Sequence, residues 1–154
     1  MKQRHVSNEL LISNKMENLS YVRDFVQRTL NEVNLSGIYC THIILAVDEA
    51  ISNIIRHAYQ DFQTGSRSIE IKINVNAKKI EIIIKDSGRN FDPNSINEPT
   101  IDEHVKLGKR YGLGLFLMRR VMDEIKYVFK SGLENTLTMV KYVEPNKNKS
   151  RGGN

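Results

Sequence analysis

The chain has 154 residues, 40% of them hydrophobic and 27% charged, which is the size and composition of one soluble globular domain. Its single cysteine, Cys40, excludes an internal disulfide, and no apolar run approaches the length of a membrane span or a signal peptide, so we expect a cytoplasmic protein that binds no membrane. The net charge of +5 does not predict nucleic-acid binding, because three of the basic residues, Lys147, Lys149 and Arg151, lie in the last ten residues. This tail over 145–154 contains no acidic residue, and we expect it to be disordered.

The first half of the chain predicts one strand followed by two helices. Residues 6–13 form a candidate strand, and apolar residues recur at helical spacing over 16–33. A short break follows, in which Ser36 is a candidate N-cap for a second helix over about 38–59. The core face of that second helix should hold Ile43, Val47, Ala50, Ile54 and Ala58.

The second half predicts two hairpins separated by a long loop and a helix. Residues 69–75 alternate between apolar and polar, and a short turn leads to an apolar strand over 80–85. Residues 86–109 have no strong period, which is typical of a functional lid, and a third helix is expected over 113–125. Residues 1–144 should therefore form one two-layer α/β sandwich, with helices on one face of a mixed, mainly antiparallel sheet. The last hairpin should pair strands over 127–129 and 136–142.

A polar stripe follows the second predicted helix. Glu49, Asn53 and His57 succeed one another at steps of four residues, so they lie on one helical face beside the apolar face that enters the core. A carboxylate can act as a general base, and an amide oxygen can ligate Mg²⁺. Taken alone, such a stripe is more often a solvated helix face.

Two glycine-containing segments come later in the chain. Asp86 ends an apolar strand and could accept a hydrogen bond from an adenine amino group, while Gly88 would let the backbone approach a flat base. Taken alone, Asp-Ser-Gly is ordinary turn chemistry. Gly112 and Gly114 open the third helix, where free N–H groups and the charge of Lys109 attract anions, although a lone Gly-x-Gly is also typical of a hinge.

The order and spacing of these three segments carry more information than any one of them. ExxxNxxxHAY, DSGRNFDP and GLGLFLMRRVMDE together resemble the N box and the two glycine boxes of the GHKL ATPase superfamily, which includes the ATP-binding domains of histidine kinases, type II topoisomerases and mismatch-repair ATPases. The resemblance covers about residues 45–142 and is closest to the stand-alone anti-sigma-factor serine kinases of bacteria. One position departs from the pattern: Asn90 stands where the second glycine of the first glycine box belongs, and asparagine tolerates a positive φ.

The resemblance implies a Bergerat-type ATP-binding fold and a role for each matching residue. Asn53 would be the protein ligand of Mg²⁺, and Glu49 would be the base that activates the attacking hydroxyl. His57 occupies the histidine position of the family, where a packed residue at the helix edge is at least as consistent as a catalytic one. The nucleotide would be held at its adenine by Asp86, Gly88 and Thr136, and at its triphosphate by Gly112 and Gly114.

The resemblance also implies a function and partners. The expected protein is an ATP- and Mg²⁺-dependent serine kinase that phosphorylates a small antagonist of the STAS fold, sequesters a sigma factor and forms a homodimer. A nucleotide-dependent binding module without kinase activity is the first alternative. A detached histidine-kinase catalytic domain is the second, and it lacks a phosphoacceptor histidine in an evident dimerisation helix.

Overall fold

The computed structural model describes residues 5–35, 37–58, 67–87, 113–130 and 134–143. Within these ranges, five strands form one sheet, and every pair of neighbouring strands is antiparallel. Numbered in chain order, the strands lie side by side in the order first, second, third, fifth and fourth. They are β1 Val6–Ser13, β2 Ser68–Val75, β3 Lys79–Asp86, β4 Glu124–Lys130 and β5 Glu134–Tyr142.

The described helices lie on one face of this sheet. A 3₁₀ turn, Met16–Asn18, leads into α1, Leu19–Glu32. The second helix, α2, is α-helical over Ile38–Asn53 and continues as a π-helical turn over Ile54–Ala58. The third, α3, spans Leu113–Val121. Helix α2 contacts both α1 and α3, so it is the central helix of its layer.

Alternation along the strands explains why the helices cover only one face. On β2 and β3, one set of side chains is fully buried and its neighbours, such as Glu70, Lys72 and Lys85, are only partly covered. Successive side chains of a strand point to opposite faces, so a period-2 sequence builds one apolar face and one polar face. The apolar face is a run of isoleucines: Ile69, Ile71, Ile73, Ile80, Ile82 and Ile84.

The predicted two-layer sandwich and its strands are confirmed, with three differences. The described sheet has no parallel pair, so it is antiparallel and not mixed. The third helix ends at Val121, not Ile125, because the backbone N–H of Asp123 bonds to the carbonyl of Val140 and the chain enters β4. The N-cap of α2 is Gly37, with φ +67°, and not the expected Ser36. Predictions for most of the loop over 86–109 and for the tail over 145–154 lie outside the described residues.

Helix α2 and its π-helical turn form the most apolar element of the described chain. By length and composition alone, Ile38–Arg56 could cross a membrane, with a mean hydropathy of 1.4. The segment nevertheless carries Asp48 and Glu49 near its middle, and its apolar residues belong to the core that the sheet also lines. Such a helix is typical of the centre of a folded domain. Four of the five predicted core positions are buried, namely Ile43, Val47, Ala50 and Ile54, and the Ala58 side chain lies outside the described residues.

Two neighbouring isoleucines on β3 test which face of the sheet carries the stability. Ile82 is fully buried under the helices, and Ile83 lies on the open face. We expect Ile82→Ala to lower the free energy of unfolding by about 2–5 kcal/mol, because the substitution leaves a cavity in a packed core. Ile83→Ala should lower it by about 1 kcal/mol or less, as is usual away from the core. Urea denaturation of both variants measures the difference, and equal losses would contradict the assignment of the two faces.

Candidate functional site

The sheet ends in a buried polar pair where β3 stops and β5 begins. Asp86, the last residue of β3, pairs across the ladder with Asn135, the second residue of β5. We call this end of the sheet the Asp86 edge. Both side chains are on the face that the helices cover, and they are only 5% and 3% exposed. Asn135 Nδ2 donates to Asp86 Oδ1 at 3.2 Å.

Helix α2 begins near the end of β5 that lies away from the Asp86 edge. Burial lowers the pKa of His42, near the start of α2, and the nearby positive charge of Lys141 lowers it further. At about 1.5 Å per residue, Asn53 lies roughly 16 Å farther along α2 than His42. At about 3.3 Å per residue, Asn135 lies roughly 20 Å from Lys141 along β5. The part of α2 that follows His42 is therefore nearly as long as the part of β5 between Lys141 and Asn135.

Helix α3 ends beside the end of β5 that lies away from the Asp86 edge. Its last residue, Val121, accepts a hydrogen bond from Lys141 Nζ at 2.7 Å. A link of two residues, Met122 and Asp123, then leads into β4. A helix of this length spans about 13 Å, so its first turn, with Gly114, lies about that far from Val121.

Glu49 and Asn53 form the helical side of the site. They lie one turn apart on α2 and are both partly buried, as their spacing predicts. Arg23 of α1 binds Asp48 at 2.8 Å and so ties the two helices together one residue before Glu49. After Asn53 the helix widens into its π-helical turn, so the 3.6-residue period that predicted the stripe does not extend to His57, whose side chain lies outside the described residues.

The carboxyl group of Glu49 is perturbed in the direction that suits a base. Burial raises its pKa above the usual range for glutamate. The positive charge of Arg56 opposes this increase, and the negative charge of Asp48 adds to it. A general base works best when its pKa lies near the operating pH, and an ordinary glutamate is too weak a base at neutral pH. Burial therefore makes the Glu49 carboxylate a stronger base than an exposed glutamate.

The amide of Asn53 fits a metal ligand. Its Nδ2 is buried and finds no hydrogen-bond partner among the described residues, so that part of the structure does not engage it. The two ends of an amide are alike in shape, and a turn about the last side-chain bond exchanges oxygen for nitrogen. No cluster of three or more His, Cys, Asp or Glu residues is present in the described part of the chain. A metal here would be of the Mg²⁺ type, which uses few protein ligands and completes its shell with phosphate and water oxygens.

Thr136 does not join the Asp86 pair. It pairs with Lys85, one position along from Asp86, and the pleat turns its side chain to the open face of the sheet. Asn135, which is not among the predicted site residues, faces Asp86 instead. The alternation of Asn135, Leu137 and Met139 carried the signal, because these are the buried positions of β5.

The remaining predicted site residues fall mainly outside the described part of the chain. Gly88, Lys109 and Gly112 lie there, and Gly114 is placed only through the backbone of α3. The described residues thus supply a buried carboxylate on the sheet and a carboxyl and an amide group on the helix. Their roles toward a nucleotide stay predictions at this point.

Comparison with known proteins bears on the family and the fold of the chain. A family model described as the histidine kinase-like ATPase domain matches residues 12–141. The serine-protein kinases RsbW of Staphylococcus aureus strains MRSA252 and Newman are 33% identical to this chain over 112 residues, which is 70% of this chain and 69% of each relative. A crystal structure of the RsbU and RsbW domains of a Mycobacterium tuberculosis protein covers 90% of this chain with a TM-score of 0.60. At 15% identity, and with this chain spanning 33% of that longer one, it supports the fold alone.

Removing the charge of Arg56 or of Asp48 should shift the pKa of Glu49 in opposite directions. Arg56→Gln should raise the pKa of Glu49 further, because a positive charge that favours the carboxylate is lost. Asp48→Asn should lower it, because a repelling negative charge is lost. Nuclear magnetic resonance titration of protein labelled with ¹³C at the glutamate carboxyl carbons measures both shifts.

Arg28→Gln is the control for these titrations. Arg28 is exposed on α1 and is not among the groups that perturb Glu49. The control should leave the titration of Glu49 unchanged. Shifts of the same sign in Arg56→Gln and Asp48→Asn would contradict the electrostatic account.

Proposed function

This chain belongs to the histidine kinase-like ATPase family, and we propose that it is an ATP- and Mg²⁺-dependent protein serine kinase of the RsbW type. The observation that carries the proposal is that polar groups interrupt both apolar layers, namely the buried Asp86 at the end of β3 and the partly buried Glu49 and Asn53 one turn apart on α2. We propose that these groups meet around one nucleotide, since base recognition and phosphoryl transfer need them in one place.

The sheet would hold the base of the nucleotide. A buried carboxylate at a strand end is an acceptor, and the exocyclic amino group of adenine is a donor. A hydrogen bond to a charged acceptor is stronger than one between neutral groups, and burial protects it from competing water. Asp86 therefore supplies affinity and a preference for adenine.

The helix would hold the reacting end. Glu49 takes the proton of a serine hydroxyl as the serine oxygen attacks the γ-phosphorus of ATP. The new O–P bond forms while the bond to the β-phosphate oxygen breaks, and ADP leaves with that electron pair. Asn53 would hold Mg²⁺, which neutralises charge on the phosphates when it is bound.

The raised pKa of Glu49 favours a kinase over the first alternative, a nucleotide-dependent binding module. Binding alone needs no base, and a partly buried carboxylate costs stability. A detached histidine-kinase domain would use the same nucleotide site. The 33% identity to serine-protein kinases over two thirds of each chain supports the serine kinase instead.

Partners follow from the same relationship. We propose that the protein acts in the cytoplasm, phosphorylates an antagonist of the STAS fold, sequesters a sigma factor and works as a homodimer. β1 and α1 lie outside the proposed nucleotide site, and they carry two large exposed apolar side chains, Leu11 at 67% and Tyr21 at 64%. Exposed apolar residues of this size are available for protein contacts.

Glu49→Gln separates catalysis from binding. The variant should bind ATP almost as well as the wild type, because a base does little for the ground state. It should lose phosphorylation of STAS-fold proteins from the same genome by about 10²–10⁴-fold in single-turnover assays with labelled ATP. Glu81→Gln, on the open face of the sheet, is the control and should transfer phosphate normally.

Glu49→Gln should also be more stable than the wild type at pH 7. The pKa of Glu49 is raised in the folded protein, so the folded state binds this proton more tightly than the unfolded state. The bound proton therefore stabilises the folded wild type at low pH, and this stabilisation is lost as the pH rises through the pKa of Glu49 in the folded protein. Thermal unfolding at several pH values measures this difference in stability.

The kinase test has an outcome that favours the binding module. In that outcome the wild type binds ATP but phosphorylates no candidate, and Glu49→Gln behaves like the wild type.

Asn53→Ala tests the metal site. Removing the only described amide on this helix face should abolish the gain in ATP affinity that Mg²⁺ provides, because a magnesium ion with few protein ligands cannot replace a lost one. Calorimetry with ATP in Mg²⁺ and in a chelator measures the gain. Asn74→Ala, on the open face, should keep it. A full Mg²⁺ effect in Asn53→Ala would remove this residue from the metal site.

A further inference from the structure

Asp86 has a specific amide neighbour inside the protein. Asn135 donates from Nδ2 to Asp86 Oδ1 at 3.2 Å, and the two residues are direct partners in the β3–β5 ladder. A carboxylate only accepts hydrogen bonds, so the amide must turn its NH₂ group toward it. The pair is almost fully buried, and the bond is therefore a property of the folded core and not of a solvated surface.

The two positions of this pair would suit apolar residues better than polar ones. The other helix-facing positions of β3 are isoleucines, and on β5 Leu137 and Met139 follow Asn135. Burying a charge costs free energy even when it is hydrogen-bonded, and apolar residues would fill these positions at no such cost. The placement of both groups at one strand end is explained by a ligand that uses the carboxylate.

We propose that Asn135 is a positioning residue of the base-binding site, which orients the Asp86 carboxylate toward the amino group of adenine and so sets the preference for adenine over purines with a carbonyl at that ring position. The inference rests on the proposed ATP site. A carboxylate rotates broadly about its last side-chain bond, and the Nδ2–H donor removes that freedom. A fixed acceptor binds an amino group well and repels a carbonyl oxygen, and a site built for an N–H donor discriminates strongly against its absence.

The test compares ATP with inosine triphosphate, whose base carries the carbonyl. Asn135→Leu keeps the approximate volume and removes the donor. Calorimetry with the full chain should show ATP affinity reduced about tenfold, as for one hydrogen bond to a charged group. Inosine triphosphate affinity should change less than about twofold, because that base makes no hydrogen bond to the carboxylate. Thr138→Val, on the opposite face of β5, is the control and should keep both affinities.

Asn135→Asp provides a second variant with the shape of the original. Two close carboxyl groups do not both ionise readily, so the new one keeps a proton at low pH and donates it to Asp86 as the amide does. ATP affinity relative to wild type should be nearly normal at about pH 5 and should fall by about pH 8. The charged side chains next along the ladder, Lys85 and Glu134, face the open side of the sheet and pair with each other at 4.0 Å.

The outcomes separate this inference from the proposed function. If the wild type binds no ATP, the proposed function fails whatever Asn135 does. If the wild type prefers ATP, and Asp86→Asn loses that preference while Asn135→Leu keeps it, the positioning role is overturned and the ATP site stands. Equal losses for both nucleotides in Asn135→Leu would also overturn it, since they indicate a general structural role. Should Asn135→Leu fail to fold, the pH dependence of Asn135→Asp decides, and its absence overturns the inference.

Discussion

The carboxylate of Asp86, buried at the end of a strand of isoleucines, is a group that depends on hydrogen bonds from the protein. Water cannot solvate Asp86 there, so the protein must supply hydrogen bonds, and Asn135 supplies one of them from the neighbouring strand. That donor arrives only if β3 and β5 pair in the observed register. A slip of one residue would bring Thr136 or Glu134 to Asp86, with a different reach and charge. The chemistry of the site therefore depends on strand register before it depends on any loop.

The helix layer contributes through a different geometry. Glu49 and Asn53 share a face because an α-helix returns to nearly the same direction after four residues, and this holds up to the end of the α-helical part at Asn53. The π-helical turn that begins at Ile54 changes the spacing just after the last site residue. Such turns are frequent at functional sites. A nucleotide that contacts both layers, as we propose, would stabilise their packing.

Much of this arrangement could be predicted from the sequence. The alternation of isoleucines over residues 69–75 and 80–85 predicts two strands, and helical periodicity predicts α1 and α2. Both patterns arise because each element buries one face, which repeats every two residues in a strand and every 3.6 residues in a helix. The end of α3 could not be predicted, since Glu124 and Ile125 continue the helical pattern and only pairing with Val140 and Met139 draws them into β4. The π-helical turn leaves no periodic signal. Asn135 is not predicted, because the family resemblance points to Thr136 beside it, and the pleat assigns the two residues to opposite faces.

The environment of Glu49 is consistent with the base that we propose. Burial raises the pKa of its carboxyl group, the positive charge of Arg56 opposes this increase, and the negative charge of Asp48 adds to it. A glutamine of the same shape would satisfy a structural role at lower cost at neutral pH. Asp86 differs, because an acceptor for adenine must stay a carboxylate to serve in binding alone. In the proposed site, loss of the Glu49 charge alone would leave a nucleotide-dependent binding protein that still recognises adenine. We therefore propose that the two carboxylates have separate functions, with recognition on the sheet and transfer on the helix.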